Sequence, residues 1–194
     1  MSRLILPPGD QFRKIKRTVF YDRGVGSNGT SIDGRAPDIG SSTWQLRSGS
    51  IITDGTYLAP ASPANIWIAT YDTGYGEGLF QGIIRQPDQN ATGAPLVRYG
   101  DGKFYSFIIT NAFHGVALIE HNGTSIVQRA NGAFTWPVYD VPFIFTYSGP
   151  TIALYLGGQL VASYNGATVN MTSGVVGLFY WIGLPKARNL QVVV

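Results

Sequence analysis

The sequence predicts an all-β, two-sheet antiparallel sandwich preceded by an extended N-terminal arm. Three observations carry this. About fourteen short β-prone runs follow one another with turn residues at near-regular spacing, which is the pattern of a sandwich or barrel. No long amphipathic helix interrupts them. No repeat of 20–50 residues is present, which removes propellers and solenoids. At 194 residues and 44% hydrophobic content the chain suits one domain with a substantial core.

The arm is residues 1–17. It combines an apolar tip (Leu4, Ile5, Leu6), the Pro7-Pro8 break and a basic cluster (Arg13, Lys14, Lys16, Arg17), with Asp10 its one acid. The net charge of +3 therefore belongs to the arm, and the body is close to neutral. That distribution argues against a nucleic-acid-binding face. The apolar tip is too short for a secretory core of ~7–15 residues, and no run reaches the ~18 apolar residues of a membrane span. Synthesis in a cytoplasm is the expectation. Cysteine is absent, which excludes disulfides and thiol chemistry.

The body, residues 18–194, opens with a strand at 18–22. A glycine-punctuated loop at 24–42 follows, long enough to need a function or its own anchoring contacts. Runs at 44–47, 50–53 and 56–58 read as a meander turned at Ser48-Gly49 and Asp54-Gly55. Strands at 65–71 and 78–85 bracket the loop Asp72-Thr73-Gly74-Tyr75-Gly76-Glu77, and residues 87–95 read as a polar loop. Strands at 103–110, 115–121 and 124–129 come next, the last two joined by Asn122-Gly123. The runs 142–147, 151–156 and 159–164 are separated by Ser148-Gly149-Pro150 and by Gly157-Gly158, a strong hairpin signal. In the third of these, alternation puts Leu160, Ala162 and Tyr164 on one face. Strands at 175–182 and 187–194 close the chain.

These residues resemble the concanavalin-like (laminin-G-like) jelly roll. The likeness runs through Tyr147, Gly149, Ile152, Leu154, Tyr155, Gly158, Val161, Gly174, Val176, Gly177, Leu178, Asn189, Leu190 and Val192. Upstream it includes residues 82–85 and 103–107, then Phe20, Tyr21, Asp22, Gly34, Trp44 and Gly49 nearer the start. It implies the jelly-roll fold over roughly residues 18–194. The fold hosts lectins, glycosidases and virion proteins, so function has to come from sites.

The glycosidases of this fold carry an acidic Glu-x-Asp-x-Glu-like run on one strand. The chain has two glutamates, Glu77 and Glu120, and neither lies in such a run. A non-enzymatic protein is the expectation. His114 and His121 lack the convergent donors of a metal site, and no cofactor or metal is called for. Asp33 and Asp38 are the residues to examine for calcium, although Asp-Gly and Pro-Asp are also ordinary turn chemistry. Asn28, Asn90, Asn122 and Asn170 start Asn-x-Thr triplets that mark surface loops.

Tyr75, Trp136, Tyr139 and Asp140 are the candidate glycan-binding residues, with aromatic faces for stacking and an acid to accept hydroxyls. Sealing of the sandwich edges would use the same residue types. The opening, residues 28–44, resembles sandwich modules of phage structural proteins. That resemblance implies a virion structural protein, a phage capsid decoration or tail accessory protein, assembled in a host cytoplasm. The arm residues Leu4, Ile5, Leu6, Arg13, Lys14, Lys16 and Arg17 would anchor it to other virion proteins, with self-association expected. The alternative is a carbohydrate-binding, lectin-like module. Direct nucleic-acid or membrane binding is expected in neither case.

Overall fold

A computed structural model describes residues 17–62, 66–86, 92–110, 115–136 and 139–194. Among these are fifteen strands: β1 (Thr18–Asp22), β2 (Gln45–Ser48), β3 (Ile51–Thr53), β4 (Leu58–Pro60), β5 (Trp67–Asp72), β6 (Gly78–Arg85), β7 (Thr92–Gly100), β8 (Lys103–Thr110), β9 (Gly115–Asn122), β10 (Ile126–Ala133), β11 (Val141–Ser148), β12 (Thr151–Leu156), β13 (Gln159–Asn165), β14 (Val175–Ile182) and β15 (Lys186–Val193). They form two antiparallel sheets. An eight-stranded sheet runs β13-β12-β11-β6-β15-β4-β3, with β1 also on β15, and a seven-stranded sheet runs β10-β9-β8-β7-β14-β5-β2. No helix occurs among the described residues. The expected all-β, two-sheet class is what the chain adopts.

Alternation along the strands sorts residues into two apolar groups. Phe80, Phe143 and Phe145 of the larger sheet meet Tyr105, Phe107 and Leu178 of the smaller one in a single core between the sheets. Leu96, Phe104, Ala117, Ile119 and Phe179 form a second cluster. They alternate with the core residues of the smaller sheet, so they lie on its outward face.

The predicted hairpins hold where turn chemistry was explicit. Gly157 and Gly158 have φ of 57° and 85°, which a two-residue hairpin loop requires and side chains resist. At the Asn122-Gly123 turn the Asn122 side-chain oxygen accepts the N–H groups of Thr124 and Ser125 at 3.1 and 2.9 Å.

Three local expectations are corrected. Residues 92–95 belong to the central strand β7, not to a loop. Pro95 is tolerated because its carbonyl faces β8, where it accepts Ser106 Oγ at 2.9 Å. Its missing N–H therefore points the same way, and the β7–β8 ladder pairs only at Val97↔Tyr105 and Gly100↔Lys103. The supposed meander is split, because β2 pairs with β5 while β3 pairs with β4 in the other sheet. The connecting turn packs on Trp67, leaving no room for a side chain at Gly49. Finally, Leu160 faces solvent at 56% exposure. A register shift pairs Tyr155 with Leu160 but Leu154 with Ala162. Val161 becomes the extra residue, and it and Ala162 are both buried.

The first described residue meets the last. Arg17 and Val194 exchange backbone hydrogen bonds, 3.0 Å each, extending the β1–β15 ladder. The remaining arm residues, Leu4, Ile5, Leu6, Arg13, Lys14 and Lys16 among them, lie outside the described residues, as does His114.

Candidate functional site

The loop after β1 is held by a buried carboxylate. Asp22 accepts the Gly24 N–H and the Trp44 indole N–H, each at 2.7 Å, and pairs with the Arg35 guanidinium. Trp44 in turn packs edge-on to Phe20 and Tyr71. Asp38 binds Arg23 through its backbone N–H and both Nε and Nη2, and this hydrogen bonding lowers the Asp38 pKa. Asp33 accepts the Leu46 N–H at 3.0 Å. Both carboxylates considered for calcium thus serve the loop itself. No group of three or more acidic, histidine or cysteine side chains suited to a metal ion occurs among the described residues.

The four candidate glycan-binding residues do not form one platform. Tyr75, 41% exposed, precedes the Gly78 end of β6. Tyr139 and Asp140 precede β11, which starts opposite the other end of β6, with Val141↔Ile84 and Tyr147↔Gly78 bounding the ladder. Six residues of strand, ~20 Å, separate the two places. Trp136 is corrected as well. It is only 6% exposed and stacks in the core on Phe107, with Phe134 edge-on to it at 5.3 Å. It supports the site from below and offers no ring face to a ligand.

What remains is a groove of about 270 Å³ lined by Phe134, Thr135, Tyr139, Asp140, Pro142 and Gly157, with Val141 at its base. Tyr139 is the exposed aromatic there, at 66%. Asp140 is the hub of a polar network that the sequence did not reveal. It accepts the Tyr57 hydroxyl at 2.9 Å, Arg85 Nε at 2.7 Å and Arg188 Nη2 at 2.5 Å. The Tyr57 ring lies under three cations, Arg188 at 4.7 Å, Arg85 at 5.1 Å and Lys186 at 5.9 Å. Lys186 is paired with Asp54 at 2.6 Å. Burial alone would raise the Asp140 pKa, but the hydrogen bonds from Arg85, Tyr57 and Arg188 outweigh it and lower the value. Tyr57 is raised, by burial first and by its bond to Asp140 second. The result is a fixed carboxylate and two partly exposed guanidinium groups beside an accessible ring.

Neither glutamate joins this site. Glu120 faces inward on β9 and is bound by Arg129 Nε and Nη2 at 3.1 and 3.0 Å. Burial would raise its pKa, but the bonds from Arg129 and Tyr105 lower it. Glu77 accepts the Gly149 N–H at 2.8 Å. Among the described residues, the outward strand positions of the smaller sheet hold a single carboxylate, Asp72, which accepts the Gly74 N–H. His121 stacks on Phe104 at 5.0 Å, its Nδ1 within 2.7 Å of the Gly102 carbonyl.

No family model matches the sequence, and no curated protein matches it. Solved structures do match in fold. A Bacillus subtilis protein of unknown function with a galectin-like fold shares 11% identity at a TM-score of 0.68, over 93% of this chain and 97% of that one. The carbohydrate-binding module CBM66 from Bacillus subtilis shares 13% identity at a TM-score of 0.62, over 78% and 95%. A Bacillus licheniformis β-glucanase shares 14% identity at a TM-score of 0.59, over 90% and 97%. The chain has the jelly-roll, galectin-like sandwich fold of these proteins.

Proposed function

We propose that this chain is a carbohydrate-binding module that holds its ligand without turning it over. The observation that carries this reading is the exposed Tyr139 ring and Asp140, which together line a groove of about 270 Å³, with Asp140 held from outside that lining by Arg85 and Arg188. A sugar ring presents an apolar face to an aromatic and hydroxyls to neighbouring charged groups, and the groove offers both. The fold likeness to a module whose name states carbohydrate binding supports the same reading at the level of fold. Glycoside hydrolysis needs a paired acid and base, the acid with a raised pKa. Asp38, Asp54, Glu120 and Asp140, the described carboxylates with displaced values, are all shifted downward.

A glycan array followed by calorimetry on the strongest hit tests the proposal. Tyr139→Ala should weaken binding about tenfold, the equivalent of ~1.4 kcal/mol for one aromatic contact. Equal binding by the variant would move the site elsewhere. Absence of any glycan ligand, or release of reducing ends during the incubation, would overturn the reading.

A second reading rests on the arm. Its apolar tip and basic cluster lead directly into Arg17, which is tied to the C-terminal Val194 at the sheet. We propose that such an arm anchors the protein to a partner shell in a virion, by added strand pairing and pocket filling. Occupancy on purified shells, comparing the full chain with residues 18–194 and with Leu4→Asp, measures this. Both changes should abolish most occupancy while the sandwich still unfolds cooperatively. Equal occupancy would refute the anchor.

A further inference from the structure

The sandwich core contains an arginine that forms no ion pair among the described residues. Arg98 lies in β7 where the β7–β8 register shifts, between Val97 and Gly100, and its φ is 58°. This bulge turns the side chain inward, where it is fully buried. Its Nε, Nη1 and Nη2 make no hydrogen bond to any described residue. The guanidinium carbon sits 6.0 Å from the ring centroid of Tyr147. The Tyr147 hydroxyl is also buried and has no hydrogen-bond partner among the described residues. The backbone is fixed as well, since the Arg98 carbonyl accepts Asn170 Nδ2 at 3.2 Å. Among the described carboxylates, Glu77 is the one whose charge acts on Arg98, but it is exposed and bonded to the Gly149 N–H.

A buried lysine would escape such a position by losing its proton. Arginine does not deprotonate in proteins, so the full charge stays between the sheets. Burial depresses the Arg98 pKa and raises that of Tyr147, which leaves the Tyr147 O–H protonated and able to donate. Neutral water would satisfy N–H groups without cancelling the charge, whereas an anion does both. Both residues are fully buried, which favours a small inorganic anion over a larger organic one.

We propose that Arg98 and the Tyr147 hydroxyl form a site for one small monovalent inorganic anion of the chloride or bromide kind, enclosed between the two sheets. Its effect is to stabilise the sandwich, independently of whether the Tyr139 groove takes a sugar. The test follows the thermal midpoint of the full chain against sodium bromide, with ionic strength held constant by sodium gluconate, whose anion is too large to enter. Wild type should rise by roughly 3–6 °C per tenfold increase in bromide above its Kd. Arg98→Met should be flat, and as stable as wild type or more so when bromide is absent. Tyr147→Phe should still respond, at higher bromide. Crystals grown in bromide should show an anomalous peak beside the guanidinium. This readout on the unaltered chain decides the matter if Arg98→Met does not fold. Equal midpoint shifts in wild type and Arg98→Met, or water alone beside Arg98 in bromide-grown crystals, would overturn the proposal.

Discussion

Replacing Asp22 with alanine is expected to cost the protein about 3–5 kcal/mol, the loss typical of removing one partner from a buried ion pair. The carboxylate is fully buried and is the common acceptor for Gly24 N–H, Trp44 Nε1–H and Arg35. Alanine leaves a buried indole N–H unpaired and strands a guanidinium whose Nη1 already lacks a partner among the described residues. The damage should spread, because Trp44 packs on Phe20 and Tyr71 and the 24–44 segment hangs from it. A domain of this size should fall by roughly 10 °C or more in midpoint. Urea unfolding followed by tryptophan fluorescence reads the loss directly. Asp22→Asn, which keeps the shape and one acceptor, should lose less. A loss below about 1 kcal/mol for the alanine variant would mean that the loop is held by its bridges to Ile39 and Ser31 instead.

That keystone shows where the sequence is readable and where it is not. Gly157-Gly158 and Asn122-Gly123 were legible because a turn is decided by neighbours in the chain. Strand β7 was not, since Pro95 argues locally for a loop and is rescued only by facing an unpaired stretch of β8. Leu160 obeyed the alternation rule on paper, but a one-residue bulge beyond it moved it to solvent. The division of residues 44–58 between two sheets is equally invisible, because both halves carry the same strand propensity. The site divides the same way. Tyr139 and Asp140 stood out as an aromatic and an acid beside Pro137. Tyr57, Arg85 and Arg188 reach Asp140 across sequence separations of 83, 55 and 48 residues. No local signal announces such partners. Trp136 had the right chemistry for stacking, and only burial assigns it to the core.

Gly177→Ala should destabilise the sandwich by about 1–3 kcal/mol, the range for forcing an extra carbon into a packed site. The sign is what makes this informative. Gly177 has no left-handed φ, so alanine there restricts the unfolded chain and would by that effect alone stabilise by about 0.4–1 kcal/mol. The structure opposes this with a collision, since a Cβ at this position would overlap the Ala69 carbonyl of the adjacent β5. Strand β14 lies between β5 and β7 in the smaller sheet, paired on both sides, and cannot move away from one without pressing on the other. Gly174, three residues earlier, meets the backbone of Tyr75 and Gly74 in the same way. The spacing of the Gly174-Val175-Val176-Gly177-Leu178 run is thereby explained by close backbone approach at both glycines, with Val176 and Leu178 buried in the core between and after them. Gly149→Ala provides the contrast. Its surroundings are open and its φ is 48°, so its cost is conformational alone, ~1–2 kcal/mol. Chemical denaturation of the three proteins separates the two causes. If Gly177→Ala proves more stable than wild type while Gly149→Ala loses stability as expected, β5 and β14 are not in close backbone contact at residue 177, and the run's second glycine needs another explanation.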